Sequence, residues 1–271
     1  FTKLDPKTEL AGQLTGQASY SRQIQQESFT LSSQILNLQL RPRDRPAFTE
    51  PKISLQVEGS TNRAAKTLEL SRLDVSSDFL QVNAQVTTGL SSPASPAKIT
   101  LQVHSDLQRL SRVMQPWFTN WPELTGSGSA NMTLTGTPGS TDWIASLSGP
   151  AALHIDRQEL AGVSLGPADI DMHVEQGLLI IPLSTIPANQ GKINFQAQVS
   201  LTSAKPFLVI SQPINLCEDV QINPQMSNAL LKFVNPVFAN NHQVSGTVYF
   251  ICNRLLIDDL SKWKQTTKMK G

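Results

Sequence analysis

Leu80–Val86 reads LQVNAQV and Ile99–Val103 reads ITLQV, with an apolar residue at every second position and uncharged polar residues mostly between. Period two is the period of a pleated strand, so Leu80, Val82, Ala84 and Val86 share one face while Gln81, Asn83 and Gln85 take the other. The alternation recurs at Ile53, Leu55 and Val57, at Ile99, Leu101 and Val103, at Ile170, Met172 and Val174, and at Ile193, Phe195, Ala197, Val199 and Leu201. Turn-forming stretches at Gly89–Pro96, Gly136–Ser140 and Pro187–Gly191 separate the strands, and short connections of this kind favour antiparallel neighbours. Pro42–Pro51, PRDRPAFTEP, reads as an exposed loop.

The strands belong to a repeat. His104–Gly136 and Asn223–Cys252 each read as a short helix broken near its end by proline and followed by an alternating strand. Pro116 and Pro236 are 120 residues apart, as are Phe118 and Phe238, Leu124 and Val244, and Gly126 and Gly246. Glu9–Tyr20 matches Glu123–Leu134, which places three strand openings at Leu10, Leu124 and Val244. A period this long is no ordinary solenoid repeat, so each unit holds several strands. The units run about 9–122 and 123–242, with a third beginning at 243–260 and a basic tail at 261–271, all in one elongated domain.

Each helix carries a start signal. Ser105 with Gln108 three residues on reads as a capping box, and Asn223 before Pro224 reads as an N-cap with proline at the first helical position. Leu107, Leu110 and Met114 form the apolar stripe of the first helix, and Met226, Leu230, Phe233 and Val234 that of the second. Pro116 and Pro236 end or kink them.

Composition excludes more than it selects. Lys and Arg number 22 against 21 Asp and Glu, a net charge of +1, so no global field draws in nucleic acid. Charged residues are only 16%, well below the usual quarter, which suits an uncharged polar sheet face. No run of 18 apolar residues offers a membrane-spanning helix. The start at Phe1, without methionine, reads as a processed chain or a piece of a longer one. Cys217 and Cys252 bracket the second helix and read either as a disulfide or as two buried thiols.

No catalytic constellation stands out: there is no G-x-S-x-G elbow, H-E-x-x-H or P-loop. Asp169, Asp171 and His173 lie at period two on a polar face, the one metal lead, but the default reading is a solvated face. His104, His154 and His242 read as solvated, and Asn131-Met132-Thr133 is a lone glycosylation sequon. The lysine-rich tail with Trp263 reads as a solvated end or as a contact with an anionic membrane. The chain is therefore expected to be non-catalytic, with no cofactor and no metal.

Two helices about 10 Å wide cannot cover about 14 or 15 strands spaced about 4.8 Å apart. Either the sheet closes into a sandwich or barrel, or it curls into an open apolar trough. The proline-broken VNPVF (Val234–Phe238) followed by VSGTVYF (Val244–Phe250), with LTG at Leu124–Gly126 as its counterpart, resembles the C-terminal repeats of AsmA-like and TamB-like bacterial envelope proteins. The resemblance implies a repeating β-groove that carries phospholipid or another acyl-chain ligand, or supports outer-membrane assembly. It further implies the periplasm or cell envelope of a diderm bacterium, and a membrane anchor N-terminal to this stretch.

The expected fold is all-β with two short helices, a long twisted antiparallel sheet curled into an open groove; a closed β-sandwich or barrel, serving as a structural or adhesive surface module without a ligand, is the alternative. The expected lipid groove is Leu80, Val82, Val86, Ile99, Leu101, Val103, Ile193, Phe195 and Val199, with Trp117, Phe118, Val237 and Phe238 as plugs.

Overall fold

In the computed structural model the described residues are 9–41, 47–92, 95–114, 124–139, 142–160, 162–202, 206–227, 244–259 and 267–270. Every strand among the described residues belongs to one sheet. The first unit contributes β1 (Glu9–Arg22), β2 (Gln26–Arg41), β3 (Phe48–Asn62), β4 (Thr67–Ser76), β5 (Leu80–Gly89) and β6 (Ala97–Asp106), then α1 (Leu107–Met114). The second contributes β7 (Leu124–Gly136), β8 (Gly149–Leu160), β9 (Val163–Leu165), β10 (Ala168–Glu175), β11 (Leu178–Ala188), β12 (Gly191–Ser200), β13 (Leu208–Ile210) and β14 (Ile214–Gln221), then α2 (Pro224–Met226). β15 (Thr247–Cys252), β16 (Arg254–Ile257) and β17 (Thr267–Lys270) follow.

Pairing is antiparallel throughout and joins chain neighbours, the signature of a meander. β9 and β10 are halves of one strand position, since both pair with β8 and both with β11. β13 and β14 likewise share β12, and β15 and β16 continue alongside them. The seventeen segments therefore occupy fourteen strand positions, six before α1 and six between α1 and α2. Among the described residues β1 pairs only with β2, and β17 only with β16. The sheet is open and forms no barrel.

The strand openings found by sequence repetition share one backbone feature. Gly12, Gly126 and Gly246 all have positive φ, at 155°, 102° and 138°. At Gly12 and Gly126 the ladder slips by a residue, as in a bulge, and Gly246 precedes β15 directly. Glycine is required there because other residues rarely adopt such φ values.

Three local details differ from the sequence reading, and a fourth agrees with it. The α1 cap is Asp106, whose Oδ1 accepts from Arg109 N at 3.0 Å. Ser105 is still in the β6 ladder opposite Leu80, and its hydroxyl donates to the Phe79 carbonyl. Of the stretch Pro42–Pro51, expected as an exposed loop, Phe48–Pro51 are strand: β3 begins at Phe48, and the Glu50 side chain is buried where it accepts from Asp78 N at 2.7 Å. Part of the basic tail is strand, because β17 pairs with β16 from Thr267–Ile257 to Lys270–Arg254. In α2 the cap is the one expected, Asn223 Oδ1 accepting from Met226 N at 2.7 Å.

The buried core gathers in the second unit. Val163, Ala188, Val220 and Met226 cluster beneath α2, and Ala197, Ile210, Ile214 and Cys252 form a second group. Leu134, Leu147 and Val174 form a third, and Ile155, Ile170 and Ile186 a fourth. In the first unit β1 is exposed along its whole length.

Candidate functional site: one continuous apolar sheet face

Residues directly opposite each other in a ladder lie on the same face, so strand register shows whether the apolar stripes meet. They do. One row runs Leu55, Val75, Val82, Val103, Ala130, Leu153 and Ile170. Another runs Ala18, Leu31, Val57, Leu73, Ala84, Leu101, Met132, Ala151 and Met172, one residue from each of nine adjacent strand positions. A third joins Leu70, Val86, Ile99 and Leu134. A single slip of one residue would have turned a whole stripe to the other face; the bulges instead absorb the irregularities.

Leu80, Val82 and Val86 therefore share this face with Ile99, Leu101 and Val103. Farther along, Ile193 faces Ile186 and Cys217, Phe195 faces Ser184, and Val199 faces Leu179 and Leu208. All nine expected groove residues are half-buried, neither sealed in a core nor fully open. In β5 the intervening Gln81, Asn83 and Gln85 are exposed. The two faces thus differ in chemistry and in access to water.

Trp117, Phe118, Val237 and Phe238, expected as plugs, lie outside the described residues. So do Leu230, Phe233 and Val234 of the second helical stripe, the prolines Pro116 and Pro236, His242 and Trp263. Another segment does reach over the apolar face: the β7–β8 connection. A three-residue helical turn at Ile144–Ser146 carries Ile144 and Leu147 against Leu134, Val174, Ile99 and Leu179. Thr135 and Ser148 exchange backbone hydrogen bonds that pin the returning chain. The sequence showed only a turn signal at Gly136–Ser140, since a dozen irregular residues carry no period.

On the opposite face the middle strands carry polar residues. Gln81, His104, Ser129, His154 and Asp169 form one row across it. His154 is held between two carboxylates, Nδ1 to Asp169 Oδ1 at 2.6 Å and Nε2 to Asp156 Oδ1 at 3.1 Å. The Asp169 hydrogen bond, and then that of Asp156, raises the imidazole pKa above its ordinary value. Ser127 Oγ donates to Asp156 Oδ2 at 2.5 Å, which together with His154 holds that carboxyl below the usual range. The sequence reads His154 as solvated; Asp156 lies two residues on in the same strand, and only the fold brings Asp169 to it from β10. Of the three possible ligands Asp169, Asp171 and His173, only Asp169 joins this network. Among the described residues no group of His, Cys, Asp or Glu is arranged to hold a metal ion.

Cys217 and Cys252 are free thiols. Their register differs, Cys217 opposite Phe250 and Cys252 opposite Ile214, and burial raises the pKa of both.

Nothing matches this chain among protein-family models, curated proteins or solved structures.

Proposed function

We propose that this all-β open-sheet module is a non-catalytic lipid-binding or lipid-transfer element of a cell envelope, in which the apolar face cradles acyl chains. The observation that supports it is the uninterrupted apolar row from Ala18 to Met172 on a sheet that does not close. Large contiguous apolar surfaces on a folded chain usually mark a binding site. Each methylene moved from water onto that surface contributes about 0.8 kcal/mol, and a uniform surface lets a chain slide with little change in energy while its headgroup stays in water. The resemblance to AsmA-like and TamB-like repeats points to phospholipid, to the periplasm of a diderm bacterium, and to a membrane anchor elsewhere in the parent protein. Sheet openness favours this over a ligand-free surface module, whose apolar face would be expected to be covered.

The test is native mass spectrometry before and after delipidation, with extraction and identification of any released lipid. A mass decrement matched by phospholipid supports the reading. Identical masses with no extractable lipid, and no uptake of added phospholipid, overturn it.

A further inference from the structure

The β7–β8 connection does more than cross the apolar face: it borders an open pocket on it. Val86, Ala97 and Ile99 supply the sheet side together with the backbone at Gly136, and Pro138, Trp143 and Leu147 supply the other. The pocket measures about 250 Å³. Ala97 and Leu147 are buried, whereas Trp143 is 45% exposed at its margin. Among the described residues of this lining the Trp143 indole N–H is the only side-chain hydrogen-bonding group, and none carries a charge.

Such a lining cannot recognise a headgroup. The pocket is open to solvent at the Trp143 margin, and its volume of about 250 Å³ has room for several methylenes entering from the sheet face. It is also continuous with the candidate site, sharing Val86 and Ile99 with the row from Leu70 to Leu134. Resting on the lipid reading above, we propose that this pocket seats the methyl end of an acyl chain whose remainder lies along the open face. The connection then acts as an end-stop that sets how far a tail can enter, which makes chain length a specificity determinant.

Trp143 provides the readout. Phosphatidylcholine brominated near the methyl end of one chain is compared with the same lipid brominated near the carboxyl end, each bound to the full chain. The Trp143 signal is taken as the difference between wild type and Trp143→Phe. The expected result is loss of Trp143 fluorescence with methyl-end bromines and little with carboxyl-end bromines. Ala97→Leu, which fills the pocket from the sheet side at a residue outside the groove rows, should abolish that difference while lipid remains bound elsewhere on the face; if this variant misfolds, the wild-type comparison decides alone. Bound lipid with equal quenching from both positions, or none from either, overturns the end-seat and leaves the lipid reading standing. Absence of any bound lipid overturns both.

Discussion

A Cβ placed on Gly126 would lie 1.6 Å from the carbonyl oxygen of Arg157, on the neighbouring strand. β8 can approach β7 at the bulge only because residue 126 has no side chain, and its φ of 102° excludes other residues independently. Gly126→Ala is expected to cost about 3 kcal/mol or more, through backbone displacement added to conformational strain. At Gly246, the equivalent place in the next unit, no described atom lies within 4 Å of such a Cβ. Gly246→Ala should therefore cost about 1–2 kcal/mol, the conformational part alone. Urea midpoints of the two variants, compared at equal slope, check the difference.

His154 should titrate above the ordinary value of 6.5, held up first by Asp169 and then by Asp156. A raised folded-state pKa gives stabilisation that is whole below the unfolded value and is lost as pH rises through the folded one. Because His154 is well exposed, the effect on stability is small and the titration itself is the better readout. An NMR titration should place its midpoint above 6.5 in the wild type and lower in Asp169→Asn. An unchanged midpoint in that variant would show that Asp169 is not the principal cause.

Asn223 ties α2 to the β8–β9 turn. Its Oδ1 accepts from Met226 N, and its Nδ2 donates to the Gly162 carbonyl at 2.7 Å. Removing both with Asn223→Ala should destabilise by about 1–2 kcal/mol. Asn223→Asp, which keeps the acceptor and loses the donor, should fall between wild type and alanine. Thermal melts of the three proteins test that order.

Strand identity was legible because Leu80–Val86 and Ile99–Val103 keep strict period two, and register then aligns them as Val82 with Val103 and Val86 with Ile99. The alternation alone did not decide openness, since a closed sandwich would use it too; the open groove was expected from the resemblance to AsmA-like and TamB-like repeats, and the sheet is open. Repetition was legible through Gly126 and Gly246 because a positive φ leaves few alternatives to glycine. The β7–β8 connection was not: Trp143 and Leu147 sit on irregular chain, and only tertiary packing places them on the apolar face. Asp106 was overlooked as the α1 cap because it is the last residue of β6 as well as the first cap position. The His154 network spans β7, β8 and β10, a proximity that linear spacing does not reveal.

The most direct measurement is a titration of fluorescent phospholipid into wild type and Leu101→Asp, with a thermal melt of each. Leu101 is half-buried between Ala84 and Met132 in the long row, so a carboxylate there can remain solvated on an open sheet while interrupting the apolar surface. The expected outcome is saturable binding by wild type, and a cooperatively folded Leu101→Asp whose binding is greatly weakened. A wild type that binds no phospholipid, or a folded Leu101→Asp that binds as tightly as wild type, would contradict a lipid-bearing apolar face.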